Sequence, residues 1–205
     1  MTNTNTIVQP RLVAFAGLAG AGKDTAAEYL CAHYGFVRAA FADVLKDMAA
    51  QMLDDAGHGY ANLYEPGLKE RPIAGLHNIS ARRLMQTMGD WGRELHPDIW
   101  VTLLAGRLGM HLSQHNPVHD RIALSDVRFP NEAAWAQAQG GTLVLITRAQ
   151  AEAVHEHISE QHISALPVDC QLANDGATPL SLWLQLDALM AEMGLGKAPR
   201  AEGGF

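Results

Sequence analysis

The amino-acid sequence predicts an α/β fold in which a parallel β-sheet is covered by helices on both faces. Short apolar segments alternate with helical patterns along most of the chain, and a glycine-rich turn joins the first predicted strand to the first predicted helix. Alternation of this kind is typical of proteins whose strands are parallel and buried. The 205 residues, of which 48% are hydrophobic and 18% are charged, fit a single globular domain.

The first part of the predicted core, residues 11–53, contains two strands and two helices. Residues 12–17 (LVAFAG) form a continuous apolar run, which predicts a buried strand. The helix predicted over 23–35 ends at a glycine, the residue that most favours a helix C-terminus. A second strand is predicted over 36–42 and a second helix over 43–53.

The second part of the predicted core, residues 121–193, continues the alternation. Short apolar strands are predicted over 121–126, 142–147 and 169–174, and helices over 131–139 and 179–193.

Residues 54–120 interrupt the alternation, and we expect them to form an insertion within one domain of residues 1–205. Gly and Pro are frequent over 54–80, and helices are predicted over 80–95 and 98–113. The insertion concentrates positive charge in an otherwise acidic chain, at Lys69, Arg71, Arg82, Arg83, Arg93 and Arg107. Such a local concentration favours a small anionic ligand over a polymer.

Charge and composition exclude several classes of protein. The chain has 15 Lys and Arg against 22 Asp and Glu, a net charge of −7, whereas binding a long nucleic acid requires a broad basic surface. No apolar run reaches membrane-spanning length, and the polar start at 1–10 lacks the features of a secretion signal. Cys31 and Cys170 are far apart and are expected to be reduced thiols. We therefore expect a cytoplasmic protein, with loose tails at 1–10 and 194–205, that binds neither nucleic-acid polymers nor membranes.

Residues 17–25 (GLAGAGKDT) follow the first predicted strand and open the first predicted helix. Gly17, Gly22 and Lys23 match the phosphate-loop pattern GxxxxGK[ST]. Small residues let successive backbone N–H groups surround phosphates, and the helix N-terminus and the lysine add positive charge. The pattern predicts a nucleotide-phosphate site, with a plain strand-to-helix turn as the alternative.

Asp24 stands where this pattern has Ser or Thr, and Thr25 follows one position later. Asp24 either binds Mg²⁺, directly or through water, or is a first-turn carboxylate favoured by the helix dipole.

The helix predicted over 80–95 has two unlike faces. At about 100° per residue, four side chains fall within roughly 60° of one another, namely Arg82, Gln86, Gly89 and Arg93. We interpret this as a ligand face in which Gly89 leaves room for a ligand near the backbone, with a solvated face as the alternative. The opposite face is expected to pack in the core and comprises Leu84, Met88, Trp91 and Leu95.

Polar side chains follow the later predicted strands. Asp126 ends the strand over 121–126, the position at which phosphate-loop proteins place a carboxylate for Mg²⁺-bound water. Arg128 can clamp a transferred phosphate, and a structural ion pair with Asp126 is the alternative. Arg148 ends the next strand. The run 174–176 (Asn174, Asp175 and Gly176) either touches a nucleotide base or forms a plain turn.

Three histidines, His155, His157 and His162, follow Arg148. Their spacing is not that of a standard closed zinc site, so we expect a polar mobile loop here, with a metal site as the alternative.

Taken together, these segments resemble the phage-type deoxynucleoside monophosphate kinases, a branch of the P-loop kinases that is also similar to phosphomevalonate kinase. The matching segments are GLAGAGKDT (17–25), FADVLK (41–46), LKERPI (68–73), ARRLMQTMGDWGRELHPDIWV (81–101), SDVRFPNEA (125–133), HISE (157–160) and NDG (174–176). They follow the family order over nearly the whole chain, and an aspartate after the loop lysine is itself a feature of this group. The resemblance implies a three-layer α/β/α P-loop kinase fold with a helical monophosphate-binding insertion and a lid at about 149–165.

The resemblance also implies substrates and site residues. ATP with Mg²⁺ would donate the phosphoryl group, and a deoxynucleoside monophosphate would accept it. ATP would contact Gly17, Ala19, Gly20, Ala21, Gly22, Lys23, Asp24, Thr25, Asn174, Asp175 and Gly176. The acceptor would contact Lys46, Arg82, Gln86, Arg93 and Trp100. The catalytic groups would be Lys23, Asp126, Arg128 and Arg148, and the Mg²⁺ ligands would be Asp24 and Asp126.

Two features depart from the family pattern. Residues 88–90 (Met-Gly-Asp) stand where relatives often have x-Gly-Thr, which leaves the acceptor contacts at this point open, and the lid has few arginines. The resemblance further implies a homodimer, and a host cytoplasm if the protein is viral. Two other functions remain open, a P-loop kinase of another small phosphorylated acceptor and a non-catalytic nucleotide sensor. The accepted base and sugar are also open.

Overall fold

The computed structural model describes residues 11–65, 67–112, 121–149 and 162–198. The predicted lid over 149–165 falls mainly outside these ranges, together with His155 and His157, the tail 1–10 and the end of the second tail.

The chain divides into two compact units. The larger unit comprises residues 1–39 and 108–205, and the smaller unit comprises residues 40–107. The smaller unit overlaps the predicted insertion over 54–120 but also includes the helix that follows the second strand of the sheet.

The described residues form seven strands and seven α-helices. The strands are β1 (Arg11–Ala16), β2 (Val37–Ala39), β3 (Pro72–Ile73), β4 (Ile79–Ser80), β5 (Arg121–Val127), β6 (Thr142–Thr147) and β7 (Cys170–Ala173). The helices are α1 (Lys23–Tyr34), α2 (Ala42–Asp55), α3 (Ala61–Tyr64), α4 (Ala81–Leu95), α5 (Ile99–Leu112), α6 (Pro130–Ala138) and α7 (Leu180–Glu192). Two short 3₁₀ helices lie at Ala74–Leu76 and Ile163–Ala165.

The larger unit contains a five-stranded parallel sheet in the order β2-β5-β1-β6-β7. The prediction of an α/β fold with a parallel sheet flanked by helices is confirmed. The strands read as apolar runs because both faces of the sheet are covered: Val13 and Phe15 are fully buried with α1 and α7, and Leu12 and Ala14 are equally buried on the other face. α6 packs against β1 and β6.

The central strand β1 places the following loop at the ligand-binding edge of the sheet. β5 lies on one side of β1 and β6 on the other, so successive connections leave in opposite directions at this point. Ligands of open parallel sheets bind at the carboxyl ends of strands where the strand order reverses in this way. The loop over 17–22 begins at that position.

β5 contains an irregularity near its carboxyl end. Ala14 of β1 is paired with Leu124, whereas Ala16 is paired with Val127, so β5 has one residue more than β1 over this stretch. The extra residue falls at Ser125 and Asp126, and a bulge of this kind redirects side chains at the end of a strand.

The outer edge of β7 is covered by a side chain of α7. Gln185 accepts the Ala173 N–H through Oε1 (3.0 Å) and donates through Nε2 to the Ala173 carbonyl (2.8 Å). The amide of Gln185 thus takes the place of a neighbouring strand at one residue.

A polar cluster joins α1, α7 and the residues after α7. Asp187 Oδ1 accepts the hydroxyls of Tyr29 (2.8 Å) and Tyr34 (2.6 Å), and Oδ2 accepts the Lys197 ammonium (2.9 Å). Burial, followed by the bond to Asp187, raises the pKa of Tyr34 to about 12, so its hydroxyl remains a donor. For Asp187 itself, burial acts to raise the pKa, but the bonds from Lys197, Tyr34 and Tyr29 outweigh burial and lower it.

Residues 194–198, which we expected to belong to a loose tail, are packed within the larger unit. Leu195 is 6% exposed, and the Ala198 N–H donates to the His33 carbonyl (2.8 Å). Apolar contact and hydrogen bonds compensate for the entropy lost in ordering this segment.

The smaller unit packs α2, α3 and α4 around its own apolar core. That core contains Ala49, Leu53, Leu63, Ile73 and Ala81. The hairpin β3–β4, in which Ile73 is paired with Ile79, was not predicted, because strands of two residues show no periodicity. No described helix is both long enough and apolar enough to cross a membrane.

Candidate active site

The loop between β1 and α1 adopts a conformation that requires glycine. Gly17, Gly20 and Gly22 have φ values of 147°, 76° and 108°, in the region that other residues rarely adopt. A Cβ on Gly17 would lie 2.3 Å from the Ile146 carbonyl oxygen, so the loop passes directly against β6. The curled backbone between these glycines is the arrangement that surrounds phosphates in nucleotide-binding loops.

Lys23 is held inside this loop. Its ammonium donates to the carbonyl oxygens of Gly17 (2.7 Å) and Leu18 (2.8 Å), and the residue is only 8% exposed. Lys23 is also the first residue of α1, whose N-terminal N–H groups have no partners within the helix. The loop therefore combines a fixed ammonium with a helix N-terminus, two features that stabilise anions.

A cleft of about 300 Å³ opens at this loop. Its lining brings together eight residues predicted to contact ATP or the transferred phosphate: Gly20, Gly22, Lys23, Asp24, Thr25, Arg148, Asn174 and Gly176. The remaining lining comes from the turn that precedes α7, namely Ala177, Thr178 and Pro179. The cleft is thus bounded by the segments that follow β1, β6 and β7.

Asn174 lies at the back of the cleft and is 8% exposed. Its backbone N–H donates to the Thr147 carbonyl (2.8 Å), and its side-chain Nδ2 donates to the Ala21 carbonyl (2.9 Å). The side chain of Asn174 is therefore bonded to the phosphate loop.

Asp175 and Arg148 lie beside Asn174. Asp175 Oδ1 accepts the Ala149 N–H (2.6 Å), which ties the turn after β7 to the end of β6. Arg148 is exposed and lines the cleft, so its guanidinium is available to a bound anion.

Asp24 is an exposed carboxylate at the start of α1. Its side chain is 71% exposed and forms an ion pair with Arg38 of β2 (3.4 Å). It lines the cleft next to Lys23, and oxygen ligands of this type are those that Mg²⁺ prefers. Asp24 is consequently suited in chemistry and exposure to hold a metal ion at the cleft.

The bulge at the end of β5 carries the other predicted carboxylate. Asp126 is partly buried, and Arg128 follows β5 in the turn to α6. The hydroxyl of Ser125, inside the bulge, is buried without a hydrogen-bond partner among the described residues. Neither Asp126 nor Arg128 lines the cleft at the phosphate loop.

Glu132 is a residue of this region that the sequence analysis missed. Its Oε2 accepts the backbone N–H groups of Arg128 (2.8 Å) and Phe129 (3.1 Å), and the residue is 6% exposed. Burial, with the charge of Asp126 nearby, raises the pKa of Glu132 to about 8, although both N–H bonds act in the opposite direction. The detectable signal was Pro130 followed by Glu132, because proline at the first helical position and glutamate at the third mark a helix start.

Three of the predicted acceptor-binding residues of the smaller unit form ion pairs. Lys46 donates to Asp43 (3.1 Å), Arg93 donates to Asp90 (2.6 Å), and Arg82 pairs with Glu70. Partly buried side chains include Lys46 of α2 and Arg82, Gln86 and Arg93 of α4. The predicted ligand face of α4 is therefore not fully solvated. Their contact with an acceptor stays a prediction.

The α4 glycines contact a tryptophan of α5. Trp100 is 3% exposed, and its indole N–H donates to the Gly89 carbonyl (3.0 Å). A Cβ on Gly92 would lie 2.2 Å from Trp100 Cζ2. A Cβ on Gly89 would lie 3.1 Å from Arg93 Nη2, so the space at Gly89, which we interpreted as room for a ligand, is taken in part by the Arg93 guanidinium.

The core face that we predicted for α4 is partly wrong. Trp91 and Leu95 are 50% and 60% exposed, whereas Gly89 and Gly92 are buried. Periodicity alone predicts that the large apolar residues are buried, whereas in the structure the small residue Gly92 lies against the Trp100 indole.

A parallel sheet with a lysine-bearing glycine loop after its central strand is consistent with a P-loop kinase fold, and the family match that follows supports a phosphotransferase. Residues 49–181 match the sequence model of the deoxynucleotide monophosphate kinase family, and the chain belongs to that family. The chain is also similar to a protein of Acanthamoeba polyphaga mimivirus proposed to be a deoxynucleotide monophosphate kinase. The two are 28% identical over 163 residues, which cover 76% of this chain and 83% of the viral protein.

Proposed function

We propose that the protein transfers the γ-phosphoryl group of ATP to a deoxynucleoside monophosphate, producing ADP and a deoxynucleoside diphosphate. The cleft at Lys23 carries this proposal, because it joins a buried ammonium, a helix N-terminus and the exposed Arg148 around a space of about 300 Å³. Membership of the deoxynucleotide monophosphate kinase family supports the choice of acceptor.

The reaction requires alignment and charge neutralisation. An oxygen of the acceptor phosphate forms a bond to the γ-phosphorus while the bond from that phosphorus to the β,γ-bridging oxygen breaks, and the electron pair stays on ADP. Negative charge spreads over the three equatorial oxygens during this exchange. Lys23, Arg128 and Arg148 are the cations that we assign to these oxygens, and fixed donors of this type stabilise a transition state more than a ground state.

Asp24 and Asp126 are the carboxylates that would hold Mg²⁺. When bound, Mg²⁺ neutralises phosphate charge and orients the phosphates. Asp24 fits by its exposure at the cleft, whereas Asp126 lies at the bulged end of β5 outside the cleft lining, so its part in holding the ion stays a prediction.

For the acceptor we propose Lys46, Arg82, Gln86, Arg93 and Trp100 of the smaller unit. Arginine binds phosphate with two parallel N–H bonds, and the partly buried Arg93 is suited to this because its guanidinium is already ordered by Asp90. The proposed enzyme is one P-loop kinase domain with two small-molecule substrates, and we place it in the cytoplasm. The homodimer implied by the family resemblance stays a prediction for sedimentation analysis.

An acceptor panel tests the proposed function. ADP release from ATP is measured with each deoxynucleoside monophosphate, each ribonucleoside monophosphate, a phosphomevalonate-like acceptor and no acceptor. We expect turnover that depends on at least one deoxynucleoside monophosphate. Turnover only with the non-nucleotide acceptor would indicate another small-molecule kinase, and ATP binding without acceptor-dependent turnover would indicate a nucleotide sensor.

The Arg93→Ala variant tests the acceptor side within the same assay. We expect a raised KM for the monophosphate or a lowered kcat, with the KM for ATP within about twofold of wild type. A change confined to the KM for ATP would place Arg93 on the donor side and contradict our assignment.

A further inference from the structure

Asn174 was expected to contact a nucleotide base, yet its side chain is directed at the phosphate loop. Nδ2 donates to the Ala21 carbonyl at 2.9 Å, and this bond is buried. The sequence separation of 153 residues shows that the bond joins two segments that are adjacent only in the folded protein.

The contact between Asn174 and the loop is close enough to dictate a neighbouring residue. A Cβ on Gly22 would lie 2.4 Å from Asn174 Nδ2, a distance that a real Cβ does not adopt. Gly22 also has a φ of 108°. Gly22 is therefore required both by its backbone conformation and by the amide of Asn174 packed against it.

Asn174 is in turn fixed by the sheet. Its backbone N–H donates to the Thr147 carbonyl at the end of β6 (2.8 Å), so the residue continues the pairing of β7 with β6. β6 also contacts the other end of the loop, because Gly17 lies against the Ile146 carbonyl. The loop thus rests on β6 at Gly17 and on β7, through Asn174, at Ala21 and Gly22.

We infer that Asn174 is a positioning residue for the phosphates of the donor nucleotide, and not a contact to its base. The carbonyl of Ala21 needs a donor once it is buried, and the amide of Asn174 supplies it. The bond holds Ala21 in the orientation that leaves the following N–H groups directed at the cleft. This inference rests on the proposed function in that it treats the loop as a nucleotide-phosphate site.

A ligand that lacks a base distinguishes a residue that positions the phosphate loop from a residue that contacts the base. Inorganic tripolyphosphate presents the phosphate chain of ATP but has neither sugar nor base. Calorimetric titrations with tripolyphosphate and with ATP, in one Mg²⁺-containing buffer, are therefore compared for wild type, Asn174→Asp and Asn174→Ala. Asn174→Asp keeps the size of the side chain but presents an oxygen, not a donor, to the Ala21 carbonyl.

We expect both variants to lose affinity for tripolyphosphate and for ATP by the same factor, about tenfold or more, because an unpaired buried carbonyl disfavours the binding conformation of the loop. The ratio of ATP to GTP affinity should remain that of wild type. Thermal melts of the unliganded variants check that each is folded. If Asn174→Asp does not fold, the comparison is made with Asn174→Ala alone.

Gln171→Ala is the matched control on the same strand. Its carboxamide donates to the Thr147 hydroxyl (3.3 Å) and does not contact the phosphate loop. Both affinities of this variant should stay within about twofold of wild type. An equal loss in Gln171→Ala would mean that damage to β7 in general weakens the site, and would overturn the specific role of Asn174.

Two further results would overturn the inference. A loss of ATP affinity with unchanged tripolyphosphate affinity would make Asn174 a base or sugar contact, and unchanged affinity for both would make its bond irrelevant to the loop. A wild type that binds neither ligand would refute the inference together with the nucleotide site. A wild type that binds ATP but shows no acceptor-dependent ADP release would refute the proposed function alone, because the binding comparison needs no turnover.

Discussion

The ammonium of Lys23 is held in place by its own loop. Two carbonyl oxygens of its own loop accept its protons, and the residue is 8% exposed. A charge held in this way costs little reorganisation when phosphate charge develops, which is the condition for a large electrostatic contribution to catalysis.

We predict that Lys23→Ala lowers kcat by about 10²–10³ while the protein remains folded. Acceptor-dependent ADP release and a thermal melt measure the two quantities. Lys197→Ala is the charge-matched control, because Lys197 pairs with Asp187 and not with the loop. A Lys23→Ala variant within a few-fold of wild-type kcat would contradict the assignment of the phosphate loop.

Glu132 holds the turn that carries Arg128, because it accepts the backbone N–H groups of Arg128 and Phe129. At neutral pH the raised pKa of Glu132 favours the protonated carboxyl. Glutamine has nearly the same shape as this protonated side chain, and its amide oxygen can accept both N–H groups. We predict that Glu132→Gln keeps kcat within a few-fold, whereas Glu132→Ala lowers kcat and destabilises the protein by about 1–3 kcal/mol, because two partly buried N–H groups lose their acceptor. Steady-state kinetics and denaturant unfolding measure these effects, and equal kinetics in both variants would show that the turn does not position Arg128.

At the residue scale, the sequence predicted the feature that depends on local spacing. Gly17, Gly22 and Lys23 match a contiguous pattern, and the structure places Lys23 inside the glycine-rich loop, whereas the binding of phosphate there stays a prediction. The bond from Asn174 to Ala21 was not predictable, since it depends on how β7 and the loop meet in space. Glu132 gave a helix-start signal but no sign that it would be buried beside Asp126.

At the scale of elements, the contact between α4 and α5 depends on the absence of one methyl group. Alanine normally stabilises a helix relative to glycine, and neither Gly92 nor Gly106 has a positive φ. Gly92, however, lies against the indole of Trp100, whereas a Cβ on Gly106 would meet no atom of the described residues within 4 Å.

We predict opposite effects from the same substitution at these two positions. Gly92→Ala should destabilise the protein by about 1–3 kcal/mol, because the new methyl group overlaps Trp100. Gly106→Ala should raise the free energy of unfolding by about 0.5–1 kcal/mol through helix propensity alone. Urea unfolding of both variants is the measurement, and a stabilised Gly92→Ala would show that α4 and α5 can separate without cost.

The Asp187 cluster predicts a pH dependence of stability. The lowered pKa of Asp187 means that its bonds stabilise the fold fully above its ordinary pKa of 3.8 and that this contribution is lost as the pH falls through the lower folded value. Asp187→Asn should therefore cost about 1.5–3 kcal/mol at pH 7 and progressively less in acid. Unfolding curves at pH 7 and at the lowest pH where wild type is folded measure the difference, with Tyr34→Phe as a control that removes one bond and keeps the charge. A difference independent of pH would contradict the role of the carboxylate.

Most helices and strands of the sheet were predictable because they are long enough to show a period or a continuous apolar run, but the strand predicted over 36–42 is found only at Val37–Ala39, since α2 already begins at Ala42. The helix predicted over 80–95 is found at Ala81–Leu95, but its buried side was not predicted, because Gly92 lies against the Trp100 indole and the Gly89 carbonyl accepts the indole N–H. Hydrophobicity alone cannot show that a glycine will be a contact surface.

At the scale of the whole molecule, the alternation of strands and helices was sufficient to predict the parallel sheet. The division of the chain was harder to predict. α2 follows a strand of the sheet and so reads as part of the core, yet its buried residues Ala49 and Leu53 pack with α3 and α4 in the smaller unit. Which core a helix joins is decided by contacts that are distant along the chain.

The amide of Gln185 has a consequence for how molecules meet one another. An edge strand exposes N–H and C=O groups that can pair with a strand of another molecule, and proteins avoid such pairing by covering the edge or keeping it short. β7 does both, since it has four residues and its Ala173 groups are bonded to Gln185. We predict that Gln185→Ala increases concentration-dependent association, measured by light scattering, whereas Gln171→Ala, which leaves the bonds to Ala173 in place, does not. Equal scattering from wild type and Gln185→Ala would mean that the shortness of β7 already prevents edge-to-edge association.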